Sequence, residues 1–158
     1  MKTALFADVH ANLEALRACL AHAEAQRVDR FAFLGDLVGY GADPEAVLDI
    51  VMAYQATGAS VVQGNHDEAA VGDGEFNLND NARAAITWTR PRLNERHRAF
   101  LASLPYTVRL GDMLLVHASA VAPPRWIYVT DTRLAAHSME AAGARYVFGG
   151  HVHDPVLI

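Results

Sequence analysis

Aspartate, asparagine and histidine recur in this chain in five short patches. In order they are Asp8-Val9-His10, Gly35-Asp36, Gly64-Asn65-His66-Asp67, His117 and Gly150-His151-Val152-His153. Mixed imidazole and carboxylate donors suit Mn, Fe, Zn or Co rather than Ca. Asp36 carries two oxygens and can bridge two cations, while Asn65 offers a neutral oxygen that limits the negative charge of the set. Two such ions, about 3.5–4 Å apart, would bind a phosphate and acidify a bridging water into a hydroxide. Asp8 and His10 are two positions apart, as are His151 and His153. In extended backbone such partners share a face, so each pair is expected to reach toward one cluster. Singly, each patch has a bland reading as a solvated turn. As an ordered set they point to a two-metal hydrolytic site.

Something must carry these patches to one rim, and the intervening residues indicate what. The apolar runs Thr3–Ala7, Arg30–Leu34 and Ser60–Gln63 read as strands, each ending at a patch. Between them, Leu13, Leu16, Leu20 and Ala23 fall on one face of a helix over residues 12–26. Asp43-Pro44 reads as an N-cap and first helical position, ahead of a stripe of Val47, Ile50, Val51 and Tyr54 that Gly58 closes. This alternation implies a parallel sheet, whose ligands gather beyond the carboxyl ends of the strands. Residues 77–103 read as helical, broken at Pro91 and ended by Pro105. The pattern then changes. Residues 107–110 and 113–116 flank Gly111-Asp112, a hairpin signal that leads to His117. A helix over 131–142 and a strand over 145–148 bring the chain to the last patch.

The 158 residues suit one domain, and a net charge of -5 argues against a nucleic-acid polymer as partner. Cys19 is the single cysteine, which excludes an internal disulfide and a Cys-based zinc site. No signal-peptide pattern or run long enough to span a membrane is present, so a cytoplasmic location is the default expectation. Pro155-Val156-Leu157-Ile158 is a β-prone run with no polar tail, and the expectation is a domain truncated at its C-terminal end. The open edge there would favour dimerisation by strand addition.

The ordered set resembles the calcineurin-like metallophosphoesterases, whose pattern is Asp-x-His, Gly-Asp, Gly-Asn-His-Asp/Glu, His and Gly-His-x-His. The stretches Gly35–Gly41 and Val116–Ser119 are similar to the small prokaryotic branch labelled diadenosine tetraphosphatase- or protein-phosphatase-related. The resemblance implies an α/β fold, a four-layer α-β-β-α sandwich with mixed sheets, the second sheet incomplete in this chain. It also implies that Asp8, His10, Asp36 and His153 hold one metal, and that Asp36, Asn65, His117 and His151 hold a second. His66 would protonate the leaving-group oxygen or stabilise its charge, with Asp67 orienting His66 by a hydrogen bond.

Relatives that act on phosphoproteins have Asp-Arg-Gly after the Gly-Asp motif. Here Gly39-Tyr40-Gly41 stands in its place and the phosphate-gripping arginine is absent. A small phosphodiester or nucleotide is therefore the expected substrate. The alternatives are a catalytically silent metal-binding or interaction module on the same fold, and a protein Ser/Thr phosphatase. Tyr40, Arg125 and Trp126, with Tyr128 nearby, are candidate substrate contacts, Arg125 for phosphate and an aromatic for a base; packing is the alternative for each. His22, His97 and His137 read as surface residues, and Cys19 as half-buried and inert.

Overall fold

Side chains alternate across the first sheet, and the alternation explains the layering. The computed structural model describes residues 1–74, 76 and 78–158. Strands β1 (Thr3–Phe6), β2 (Arg30–Phe33) and β3 (Ser60–Val61) pair in parallel in the order β1-β2-β3. Along β2, Phe31 and Phe33 turn to one apolar cluster while Ala32 and Leu34 turn to another. Leu5 and Phe6 divide in the same way, as do Val62 and Val61.

The first cluster is covered by helices α1 (Leu13–Ala25) and α2 (Pro44–Ala56), followed by α3 (Asn65–Val71), α4 (Asp80–Thr89) and α5 (Glu95–Ser103). The buried residues of α1 are Leu13, Leu16, Leu20 and Ala23, the stripe its spacing predicts, and Asn12 caps it by accepting from Ala15 N. In α2, Leu48 is buried beside Val47 and Val51, whereas Ile50 and Tyr54 are only partly covered. The helical middle segment is broken at Pro91 as expected, into two helices joined by a short 3-10 turn, Arg90–Arg92; its expected start, Asn77, lies outside the described residues. Arg90 closes α3 by donating to the carbonyls of Ala69 and Gly72.

The second cluster joins the two sheets. Strands β4 (Thr107–Leu110) and β5 (Met113–Val116) form the antiparallel hairpin, and β6 (Tyr146–Phe148) runs parallel to β5. Leu115, Val108, Leu110 and Phe148 meet Ala32, Leu34 and Val62 face to face. Helix α6 (Thr132–Ala142) packs on β6 and ends at Gly143 in the left-handed conformation. Helices, sheet, sheet and helix make the four layers. No helix among the described residues is long and apolar enough to cross a membrane.

Candidate metal centre

All seven expected ligands converge at one end of the two sheets. Asp8, His10, Asp36 and Asn65 come from the first sheet's loops, and His117, His151 and His153 from the second. The loops are tied directly to one another: His10 N donates to Asp36 O (2.9 Å), Gly150 N to His117 O (2.8 Å), and His151 N to both Asp8 oxygens (3.0 and 3.1 Å). Two groups result, Asp8-His10-Asp36-His153 and Asp36-His117-His151, with ligand atoms in each within 4.8 Å of one another. Asp36 belongs to both. Asn65 joins the second group, with its Oδ1 3.1 Å from His117 Nε2.

Backbone carbonyls set the ring tautomers. A carbonyl can only accept, so the contacts from His10 Nδ1 to Val38 O (3.1 Å) and His117 Nδ1 to Leu34 O (2.7 Å) place a proton on each Nδ1. The lone pairs are then on Nε2, 3.6 Å and 3.4 Å from Asp36 Oδ2 respectively. His153 Nε2 lies 3.0 Å from His10 Nε2 and 3.3 Å from Asp8 Oδ1. Lone pairs and carboxylate oxygens that face one another need positive charge between them. At the second group a proton provides it: burial opposes the His117 cation, but the Asp36 charge and hydrogen bond raise its pKa to about 9. Burial likewise pushes the Asp36 carboxyl up, yet His117, with His66 and His10, holds it at about 2. Burial lowers the pKa of His10 and of His151, so both are neutral near pH 7, the form a metal requires. This donor set fits divalent transition metals.

Glycine permits the crowding. A Cβ on Gly64 would sit 2.2 Å from Asp36 N and from its Oδ1, and one on Gly39, at φ 90°, would sit 2.3 Å from His66 Nδ1. His66 is buried in this space, its backbone N–H donated to Asp36 Oδ1 (2.9 Å), and its ring Nδ1 is without a partner among the described residues. Burial lowers its pKa to about 4, so the ring is neutral at neutral pH and keeps a single N–H.

Several expectations need correcting. Asp67 does not bond to His66. Its Oδ1 accepts from Leu37 N (2.8 Å) and Val38 N (3.2 Å), and its Oδ2 from Gly64 N (2.9 Å). Asp67 is the third residue of α3 and reaches back to the residue before the helix, so its carboxylate closes the helix start and holds the Asp36 loop. The two Asp/His-x-His patches are not extended: Asp8, His10, His151 and His153 have φ of 53°, 48°, 70° and 61°. That turning sends His151 to one group and His153 to the other. His97 is buried, its Nε2 3.1 Å from Asp49 Oδ1, and not on the surface. Cys19 is exposed, on the outer face of α1, while His22 and His137 are exposed as expected.

The candidate substrate residues separate. The Tyr40 ring lies 4.7 Å from those of both His10 and His66 and is 47% exposed. The Trp126 N–H is taken by Glu68 Oε2 (3.0 Å), and its carbonyl faces His151 Nε2 (3.1 Å). Arg125 is exposed on a 3-10 turn, Pro123–Arg125, and among the described residues bonds to none of the site. Tyr128 stacks on His151 at 4.0 Å and is 56% exposed. Nothing in its sequence neighbourhood beyond the clustered aromatics marks it out.

The whole chain, residues 1–158, matches the calcineurin-like phosphoesterase superfamily domain, and it belongs to that family. It is similar to a metallophosphoesterase from Sphaerobacter thermophilus, at 39% identity and a TM-score of 0.82, covering 97% of this chain and 60% of that one. An uncharacterized protein of Methanocaldococcus jannaschii is 32% identical over 131 residues, 80% of this chain and 53% of its own length. A hypothetical protein from Pyrococcus horikoshii OT3 shares the fold, with 19% identity and a TM-score of 0.79 over 92% of this chain and 67% of that one. The chain thus spans about half to two thirds of the length of these relatives.

Proposed function

We propose that this chain is a dinuclear phosphoester hydrolase acting on small phosphodiesters or nucleotides. The observation that carries the reading is the pair of ligand groups sharing Asp36. Two bound divalent ions, Mn, Fe, Zn or Co, would neutralise phosphoryl oxygens and lower the pKa of water. The chain's own part is to hold the donors. Val38 O and Leu34 O keep the His10 and His117 lone pairs on Nε2, and Asp67 keeps the Asp36 and Asn65 loops together. His66, buried beside Asp36, is the residue for the leaving-group oxygen. As a neutral ring it donates its one N–H to that oxygen as charge builds; full proton transfer requires the negative charge of a bound phosphate to raise its pKa.

Tyr40 and Tyr128 support the substrate class. They flank the site beside His10 and His151 with half-exposed rings, the arrangement that a flat base or aryl group can stack upon. A cleft of about 530 Å³ opens beside the first ligand group along Tyr40, Asn12 and Glu14, within the usual size for a small-molecule site. A nucleic-acid polymer and a membrane are not proposed as partners, in keeping with the net charge of -5.

The test uses bis-(p-nitrophenyl) phosphate with Mn²⁺. Wild-type protein is expected to turn over, and His66→Ala to lose about 10²- to 10⁴-fold in kcat while retaining its metal. Unchanged turnover in His66→Ala would remove the role assigned to His66.

A further inference from the structure

Glu68 lies one turn along α3 from the ligand Asn65, and both of its oxygens are occupied. Oε1 accepts from the Tyr106 hydroxyl at 2.9 Å and Oε2 from the Trp126 indole N–H at 3.0 Å. Trp126 stands in left-handed backbone, φ 51°, in the segment between β5 and α6, where it belongs to no strand or helix. Its ring meets those of Tyr106 and His117 edge-on, at 5.7 and 5.8 Å. Its carbonyl faces His151 Nε2 at 3.1 Å. Because a carbonyl only accepts, this contact puts the His151 proton on Nε2 and leaves Nδ1 as the nitrogen with a lone pair.

We propose that Glu68 is a positioning residue for the second ligand group, acting through Trp126 to fix the tautomer and orientation of His151. The proposal rests on the two-metal reading above. Glu68 holds the indole; the held indole fixes the Trp126 carbonyl; the carbonyl holds the N–H of His151. Loss of the indole bond frees the carbonyl, and His151 can then place its proton on Nδ1, where it blocks coordination. Partners of this kind typically contribute 10- to 100-fold to metal affinity.

Mn²⁺ titration of the metal-free full chain, followed by electron paramagnetic resonance of the unbound ion, tests the proposal without turnover. Wild type is expected to bind two ions. Glu68→Ala and Trp126→Phe, the latter keeping an aromatic ring but losing the N–H, are each expected to weaken one of the two by about tenfold or more and leave the other within about twofold. Tyr106→Phe, which removes the other bond to Glu68, is expected to leave both within about twofold of wild type. Imidazole ¹⁵N shifts are expected to show His151 protonated on Nε2 in wild type and in a mixture of tautomers in Trp126→Phe. If Trp126→Phe binds both ions like wild type, or Tyr106→Phe loses as much as Glu68→Ala, the route through Trp126 is overturned. A wild type that binds fewer than two ions overturns the dinuclear reading itself, and this proposal with it.

Discussion

At the scale of residues, the two groups of candidate ligands hang on Asp36, the one carboxylate common to both. The types and order of Asp8, His10, Asp36, Asn65, His117, His151 and His153 are written in the chain, and both groups assemble from them. The partner of Asp67 could not be read, because its three donors are backbone N–H groups, two of them 29 and 30 positions away. The link between Glu68 and Trp126 spans 58 positions and carries no motif. Protons at the site make a prediction. The pKa of His117 is raised to about 9 by Asp36, so the stabilisation of the metal-free fold by this pair is complete below pH 6.5 and lost as pH rises through about 9. The Asp36 pKa is lowered to about 2, so its contribution is present above pH 3.8 and lost as pH falls through about 2. A metal at the second group must displace the His117 proton. Its affinity is expected to rise by about tenfold per pH unit from pH 7 toward 9, with about one proton released. Calorimetry of Mn²⁺ binding in buffers of different ionisation enthalpy measures that proton; release of none would contradict the assignment.

At the scale of elements, periodicity revealed what packing uses. The α1 stripe was readable because a helix with one buried face must repeat its apolar residues every three or four positions. The helix at Asn65–Val71 was not, since its first residues are polar site residues and read as a turn. The acidic residue three positions after Gly64 was the available signal. His97 was misread because a lone histidine in a polar helix resembles a surface residue, and only the tertiary contact of α5 with α2 shows its burial. Asp49→Ala leaves the His97 N–H without its carboxylate. The expected loss is about 1–2 kcal/mol in urea-induced unfolding, with phosphoesterase turnover unchanged; full stability in the variant would show that the α2–α5 link is idle.

For the molecule as a whole, the candidate centre straddles the seam between the sheets, so docking of the sheets and binding of metal are expected to be coupled. Leu115→Ala, at a fully buried position of that seam, is expected to cost about 2–5 kcal/mol and to weaken metal binding as well. Added Mn²⁺ should raise the Tm of both proteins by mass action, and a Tm independent of metal would argue that the two halves stand without it. The left-handed backbone of Asp8, His10, Asp36, His151 and His153 matters here in a different way. Five of the seven candidate ligands hold a conformation that disfavours a side chain by about 1–2 kcal/mol per residue and that glycine accepts freely. His153→Gly, at a half-exposed position, should therefore abolish binding at the first group without lowering the metal-free Tm; a fall of several degrees would refute this. At His153, whose ring bonds no backbone group, function and not the stability of the metal-free fold then keeps the side chain in place. Where the reaction is no longer needed, His153 can be lost at level stability, whereas Asp8 and Asp36, which also tie the loops, cannot, and the first group would be dismantled from its exposed edge.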